Sequence, residues 1–202
     1  MTSVLAISTS ASLNSLNHRG LQMLDHFCKF DKVDCLSNYD IPVVNVNGID
    51  DEVPKVVVDL LDSMRGFEKF VFAIPEFTGM MSSSTKNLLD WMVVATSMNL
   101  GHGEGYPFTD KHVIIVTFTP SGDEGGSRHF KQTKQIFEKL GAKVIYSEAF
   151  TNGWVNVLPF NEKHFESASI RIDNYLSYDS NNKKYFQEQY EKWNKEWENN
   201  AN

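Results

Sequence analysis

The feature that most constrains the fold of this chain is a regular alternation of short apolar segments with longer amphipathic ones. Five short runs are rich in β-branched and aromatic residues, and the segments that follow them have helical apolar spacing. The predicted strands are Ser3–Ser8, Lys32–Leu36, Lys69–Ile74, His112–Phe118 and Lys143–Ser147. The predicted helices are Asn14–Phe30, Asp51–Arg65, Ser82–Asn99, Gly126–Leu140 and Asn161–Leu176. Strands that alternate with helices predict a doubly wound α/β domain, in which a five-stranded parallel sheet lies between two helical layers.

Composition and charge limit the classes of partner. Of the 202 residues, 41% are hydrophobic and 22% charged, which is ordinary for a globular protein. The net charge of the chain is −7, whereas nucleic-acid-binding proteins usually carry a basic surface. No apolar run approaches the ~20 residues that span a bilayer, and the first residues do not resemble a signal peptide. We therefore expect a cytoplasmic protein with no nucleic-acid or membrane partner, in which Cys28 and Cys35 are core residues.

The last segment of the chain differs in composition from the rest. From Asp179 to Asn202 it is rich in Asn, Lys, Glu and aromatic residues. Four aromatic residues lie at i, i+4, i+7 and i+11, which is one stripe of a helix: Phe186, Tyr190, Trp193 and Trp197. Because an isolated helix of this length is marginal in water, we predict an extra C-terminal helix docked on its own domain or on a partner subunit. The predicted division is a domain over residues 1–178 and a helical extension over residues 179–202.

The loop after the first predicted strand is rich in hydroxyl groups. Residues 8–17 contain four serines, one threonine and two asparagines. Ligands of open α/β sheets bind beyond the carboxyl ends of the strands, and hydroxyls beside a helix N-terminus suit a phosphate group. An ordinary serine-rich loop with an N-cap has the same composition. The candidate phosphate-binding residues are Ser10, Ser12, Ser15, Leu16 and Asn17.

Several well-known site motifs are absent from the sequence. No glycine precedes Gly20, so the GxGxxG fingerprint is missing, and neither GxxxxGK[ST] nor GxSxG occurs. The six histidines show no HExxH or other ligand spacing, so we expect no metal site. A hydroxyl-lined loop without lysine fits a terminal monophosphate better than a Mg-bound triphosphate. FMN is such a ligand for a parallel sheet of strand order 2-1-3-4-5.

The loop after the third predicted strand resembles a known family. Residues 75–91 are similar to a signature of the NADPH-dependent FMN reductases, which are flavodoxin-like proteins. The residues that match without gaps are Pro75, Glu76, Gly79, Lys86, Asn87, Asp90 and Trp91. Phe77 replaces a tyrosine of the family. Ser10, Ser15 and Asn17 similarly match that family's first loop, and residues 119–126 resemble its glycine-rich third loop.

The resemblance covers about residues 3–176, and the chain departs from the family pattern at four places. Thr9 replaces glycine, Ser12 replaces arginine and Thr78 replaces asparagine. The run Met81-Ser82-Ser83 replaces an Ile-Pro-Gly turn. These departures lie on the flavin and substrate side, so the resemblance does not specify the substrate.

The resemblance implies a flavodoxin-like fold, FMN as the cofactor, NADPH or NADH as the co-substrate, and a homodimer or homotetramer. The candidate ring-binding residues are those of the second loop, namely Pro75, Glu76, Phe77, Thr78 and Gly79, and Ser121 and Gly122 are the candidate cofactor-binding residues of the third. Chemistry supports the second loop as a ring platform, because Pro75 and Phe77 are apolar and Gly79 allows close backbone approach. The helix residues Lys86, Asp90 and Trp91 are expected to serve packing or a subunit interface.

We therefore expect an oxidoreductase that takes hydride from NAD(P)H onto FMN and passes two electrons to a quinone, azo compound, free flavin or similar acceptor. Such a reaction needs stacking and orientation more than a protein acid or base, so we nominate no catalytic side chain. The alternative is a non-enzymatic FMN electron carrier or a redox-sensing interaction protein. An acidic surface suits that alternative, whereas the segment 75–91 favours the reductase.

Overall fold

The computed structural model describes residues 3–45, 52–98, 105–122, 125–151 and 162–177. Its seven strands, in chain order, are β1 Val4–Ser8, β2 Lys32–Cys35, β3 Lys69–Ala73, β4 Glu76–Phe77, β5 Met80–Met81, β6 His112–Phe118 and β7 Lys143–Phe150. Five of them form a parallel sheet of order β2-β1-β3-β6-β7, and β4 and β5 form a separate hairpin. Counted within the sheet, this order is 2-1-3-4-5, which confirms the predicted fold class. The predicted C-terminal helix lies outside the described residues.

Two helical layers cover the sheet. The helices are α1 Leu16–Cys28, α2 Lys55–Arg65, α3 Ser83–Ser97, α4 Phe130–Lys139 and α5 Glu162–Leu176, and a short 3-10 helix spans Leu36–Asn38. Helices α1 and α5 pack on one face, and α2, α3 and α4 pack on the other. The strand period of two explains this division, because Val4 and Ala6 of β1 contact the first layer and Leu5 and Ile7 the second. The five helices lie within the predicted segments.

Close packing fixes helix α1 over the middle of the sheet. A Cβ atom on Gly20 of α1 would lie 2.3 Å from the Phe118 ring of β6. Phe118 stacks on Phe150 of β7 with ring centroids 4.6 Å apart. Because only a glycine allows this approach, Gly20 lets helix α1 pack directly on β6. The N-terminus of α1 is therefore held at the carboxyl edge of the strands.

The ends of several elements differ from the predicted ones. Strand β7 continues to Phe150 rather than ending at Ser147, because it pairs with the last residues of β6 up to Phe118. Gly141 ends the α4 region as predicted, with a φ of +88°. Cys28 and Cys35 are both buried, as expected of core residues. None of the described helices is long and apolar enough to cross a membrane.

Candidate functional site

Three loops meet at the carboxyl edge of the sheet. They follow β1, β3 and β6, which are neighbouring parallel strands. The Thr9 N–H donates to the Ala73 carbonyl at 2.9 Å, and the Ile74 N–H donates to the Val116 carbonyl at 2.8 Å. Each hydrogen bond joins the start of one loop to the neighbouring strand. The structure thus brings together the three segments that the sequence nominates.

The β1 loop carries hydroxyl groups whose oxygens already accept hydrogen bonds. Ser15 is the N-cap of α1, and its Oγ accepts the His18 N–H at 3.1 Å. The Ser10 Oγ accepts the Ser12 N–H at 3.2 Å. Their hydroxyl hydrogens stay available to donate, as do the N–H groups of Leu16 and Asn17 at the start of the helix. No acidic residue lies in this turn, so the loop suits a phosphate.

Asn17 has a positional role that the sequence does not reveal. Its side chain is 4% exposed. Its Oδ1 accepts the Phe118 N–H and its Nδ2 donates to the Phe118 carbonyl, each at 3.1 Å. The amide therefore binds the start of α1 to the end of β6. The backbone N–H of Asn17 remains for the predicted phosphate contact.

His18 supplies a buried polar atom next to this loop. Its Nδ1 is buried and finds no hydrogen-bond partner within the described part of the chain. Its Nε2 lies 3.2 Å from the Gln22 Nε2. Burial lowers the pKa of His18, and the nearby Asp34 charge opposes this shift. A buried polar atom without a partner fits a site that a ligand completes.

A cluster of hydroxyl groups joins the β1 loop to helix α3. The Thr9 and Thr85 Oγ1 atoms lie 2.6 Å apart, and the Ser84 Oγ donates to the Thr9 carbonyl at 2.6 Å. Ser82 is the N-cap of α3, and its Oγ lies 2.8 Å from the Thr85 Oγ1. Thr9 and Ser82 stand at two of the positions that depart from the family pattern. The Thr9 hydroxyl also donates to the Ala73 carbonyl at 3.2 Å, so both departures take part in one hydroxyl cluster through Thr85.

The β3 loop is a tight hairpin. Glu76 pairs with Met81 and Phe77 with Met80. The two turn residues between them, Thr78 and Gly79, have φ values of 53° and 77°, and positive φ at both positions is typical of a type I′ turn.

The hairpin presents an apolar surface with free backbone donors. Phe77 is 67% exposed and Met80 is 45% exposed. The turn residues Thr78 and Gly79 contribute no N–H group to a two-residue hairpin's own ladder. Pro75 is buried at the base of the hairpin. This combination of apolar surface and N–H donors suits a flat heteroaromatic ring.

Glu76 connects the β3 loop to the β6 loop. Its side chain is only 6% exposed. One carboxylate oxygen accepts the Arg128 N–H at 3.1 Å, and the other lies 3.8 Å from the Arg128 Nη1. Glu76 thus holds the base of the hairpin against Arg128, which lies just before α4. No motif in the sequence identifies Arg128 as its partner.

The β6 loop curls tightly and leaves its nominated residues exposed. Ser121 and Gly122 are both exposed. The Ser121 N–H donates to the Thr119 Oγ1 at 3.2 Å, and the Gly125 N–H donates to the Gly122 carbonyl at 2.7 Å. Gly126 has a φ of +82°, and a Cβ atom there would lie 2.9 Å from the Thr119 Cγ2. The loop requires glycine at position 126 for both reasons.

His129 anchors the end of this loop beneath the site. The Thr117 hydroxyl donates to the Ile74 carbonyl, so it accepts from His129 Nε2, 2.8 Å away. The Thr133 hydroxyl, also at 2.8 Å, then donates to Nδ1. Burial lowers the pKa of His129 to about 4. The neutral ring therefore joins the start of α4 to the bases of two loops.

The signature residues on helix α3 make two kinds of contact. Lys86 and Asp90 form an ion pair on the surface of α3. Asn87 Nδ2 and Trp91 Nε1 both donate to the Pro42 carbonyl, at 2.9 and 2.7 Å. The Asn87 Oδ1 also accepts the Val44 N–H at 2.8 Å. These contacts hold the segment after β2 against α3.

Comparison of this chain with known proteins gives matches that agree on one family. Residues 2–155 match the sequence profile described as NADPH-dependent FMN reductase. A probable NADPH:quinone oxidoreductase 2 from Oryza sativa subsp. japonica is 29% identical over 138 residues, 66% of this chain and 63% of that protein. This chain thus spans less than two thirds of that relative's length.

Two further similarities agree with this match. The CrdA subunit of the NADH:(hydroxy)cinnamate reductase from Vibrio ruber is 30% identical over 152 residues, 74% of this chain and 70% of that protein. The structure of the flavoenzyme FerB, an NAD(P)H:(acceptor) oxidoreductase from Paracoccus denitrificans, superposes with a TM-score of 0.67 and 18% identity. That superposition covers 86% of this chain and 94% of FerB, and it shows a shared fold.

Proposed function

Since the chain belongs to the NADPH-dependent FMN reductase family, we propose that it is an FMN-dependent NAD(P)H oxidoreductase that reduces a small organic acceptor. The family's cofactor and reductant are FMN and NAD(P)H, as expected from the sequence. The observation that carries the proposal is the contact of Glu76 with Arg128. It joins the exposed Phe77 hairpin to the β6 loop at the edge where the β1 loop offers phosphate donors.

The residues present fit FMN. Its phosphate would be held by the hydroxyls of Ser10, Ser12 and Ser15 and by the N–H groups of Leu16 and Asn17. The hairpin over residues 75–79 would support the ring, with Ser121 and Gly122 contacting it from the β6 loop. When bound, FMN would supply the redox chemistry, namely hydride transfer from NAD(P)H and two-electron reduction of the acceptor.

The chain contributes position and electrostatics to this chemistry. The N–H groups of Thr78 and Gly79 would face the N5/O4 edge of the ring, where donors favour the additional negative charge of the reduced state. The Glu76–Arg128 contact holds the hairpin in place, and neutral His129 fixes the bases of the loops. Proximity and orientation of the two substrates account for the rate, so no side-chain acid or base is required.

The exposed side chains favour a flat, conjugated acceptor. Phe77 and Met80 offer uncovered apolar surface beside the ring site, which suits stacking of an aromatic or quinonoid molecule. The names of the rice and Vibrio relatives, a quinone oxidoreductase and a cinnamate reductase subunit, point to acceptors of this kind. A quinone, an azo compound and free flavin are the acceptors to compare.

Anaerobic reduction of the FMN-loaded protein tests the proposal. We expect NADPH or NADH to bleach the visible flavin absorption, and a quinone, an azo dye or added free FMN to restore it. Met80→Ala removes exposed apolar surface outside residues 75–79, so it should weaken the acceptor step while leaving bleaching by NADPH largely intact. A flavin that stays oxidised with both dinucleotides, yet is reduced by dithionite, would instead favour the non-enzymatic electron carrier.

A further inference from the structure

We propose that Arg128 binds a phosphate group of the nicotinamide dinucleotide and so docks the hydride donor beside the flavin. This inference rests on the proposed function, and it assigns a role to a residue outside the family signature. It also names the anionic part of the co-substrate as the feature that the protein recognises. The supporting observations are the position, the exposure and the unused donors of Arg128.

The position of Arg128 places it at the ring side of the site. A Cβ atom on Gly79 would lie 3.7 Å from the Arg128 Cδ and 3.9 Å from its Cβ. The aliphatic stem of Arg128 therefore runs along the turn of the hairpin. Its backbone N–H is fixed by Glu76. The base of the side chain is thus held, while its charged end is long enough to reach a second ligand.

The guanidinium has donors to offer. The side chain of Arg128 is 60% exposed, whereas that of Glu76 is 6% exposed. The carboxylate oxygen at 3.8 Å is too far from Nη1 for a hydrogen bond. The described residues accept no hydrogen bond from this guanidinium, which carries five N–H donors. Its fork geometry matches a phosphate group.

The position also distinguishes this phosphate from that of FMN. Arg128 follows β6, whereas the predicted FMN phosphate loop follows β1, and β3 lies between them. Two strand spacings separate the loops by roughly 10 Å. A dinucleotide that delivers hydride must place its nicotinamide against the ring beside the hairpin, with its phosphates further out. On a chain of net charge −7, an exposed arginine there attracts an anionic co-substrate.

Equilibrium binding to the FMN-loaded protein tests this role without turnover. The probes are NADP⁺ and NAD⁺, followed by the flavin difference spectrum or by calorimetry. We expect Arg128→Gln to weaken NADP⁺ binding at least tenfold and Arg128→Lys to restore part of the loss. Lys139→Gln removes the same charge from an exposed residue at the far end of α4, and it should change binding less than twofold.

Comparing NADP⁺ with NAD⁺ shows which phosphate group Arg128 contacts. Equal losses for NADP⁺ and NAD⁺ would indicate contact with the pyrophosphate, and a loss for NADP⁺ alone would indicate the 2′-phosphate; both support the inference. Unchanged binding in Arg128→Gln, no binding by the parent, or an equal loss of FMN affinity would overturn it. Anaerobic bleaching of the parent by NADPH tests the proposed function separately, because bleaching with unchanged binding in Arg128→Gln refutes only the role of Arg128.

Discussion

Among single residues, Thr78 has a φ of 53°, in the left-handed region that β-branched residues rarely adopt. The hairpin requires this conformation at the first turn position, where the resembling family has asparagine. A residue held in this region costs on the order of 1–3 kcal/mol, and asparagine tolerates it better. The hydroxyl of Thr78 constrains this residue as well, since Oγ1 donates to the Phe77 carbonyl at 2.7 Å.

We expect Thr78→Asn to stabilise the protein by about 1 kcal/mol, because it relieves this strain. The matched variant Gly79→Ala should destabilise it by about 1 kcal/mol, since its φ is +77°. Thermal melting measures both changes. A melting temperature of Thr78→Asn at or below that of the parent would show that the turn is not strained.

Because His129 is buried, we predict that the stability of the protein depends on pH. Burial lowers its pKa from 6.5 to about 4 in the folded state. Between these values the unfolded state binds a proton that the folded state does not, so stability falls as pH falls through this window. Because His129 is only 1% exposed, the free energy of unfolding should fall by roughly 3 kcal/mol across this pH window.

Urea unfolding between pH 4 and pH 7 measures this dependence. His129→Gln should be less stable at pH 7, yet lose less stability than the parent on acidification. His18 and His112, whose pKa values are also lowered by burial, account for part of the remaining slope. The exposed His26 provides the control, since His26→Gln should keep the parental slope. Equal slopes for the parent and His129→Gln would refute the prediction.

At the scale of elements, the N-terminus of α1 combines a structural cap with the proposed phosphate site, and Ser15 serves both. Asp and Asn are as good as Ser at an N-cap, so they separate the two roles. Ser15→Asp should keep the apo protein's melting temperature and lower FMN affinity at least a hundredfold, because a carboxylate repels the phosphate. Ser15→Asn should lower FMN affinity by only about tenfold, because it removes one hydroxyl contact to a charged group.

Riboflavin is the matched ligand for this test, because it lacks the phosphate. Fluorescence titration of both flavins should show that Ser15→Asp discriminates against FMN and leaves riboflavin binding nearly unchanged. An equal effect on the two flavins would mean that Ser15 acts on the ring site or on the fold.

At the scale of the whole molecule, helix α3 is the surface from which we predict assembly. Helix α3 presents less apolar surface than its sequence suggests, because Val94 and Met98 pack partly against the core. Val93 remains 39% exposed. We propose that it contributes to a homodimer interface, which gives a mass of 2 × 23.0 = 46.0 kDa in light scattering. Val93→Asp should yield monomers, whereas Val43→Asp, at an 80% exposed site off this helix, should not. A parent that scatters as a 23.0 kDa particle would contradict the proposal.

We also propose that residues 179–202 form a helical extension that docks on the domain over residues 1–178. Truncation before Asn181 removes the aromatic stripe and should lower stability or shift the oligomer distribution, with a smaller effect on FMN affinity. Removal of Asn199–Asn202 alone should change neither property. If the longer truncation melts, assembles and oxidises NADPH like the full chain, the extension has no docked role.

The sequence by itself determined the layered sheet and the three loops that form the site. Apolar periodicity is a local property, and it decides which face of each strand or helix is buried. Parallel strands then bring the loops after β1, β3 and β6 to one edge without further information. The hydroxyl-rich loop, the 75–91 signature and the glycine-rich run 119–126 were therefore sufficient to nominate the candidate residues.

Only the tertiary structure decided how those loops are held. Asn17 meets Phe118, Glu76 meets Arg128, and Thr9 meets Thr85 across large separations in sequence. Such contacts depend on strand register and helix placement, which no local pattern encodes. The sequence also does not predict the hairpin over residues 76–81, because Thr-Gly is not the Asn-Gly or Asp-Gly pair that usually signals a two-residue turn. Its conformation is imposed by the surrounding fold rather than by the propensity of its own residues.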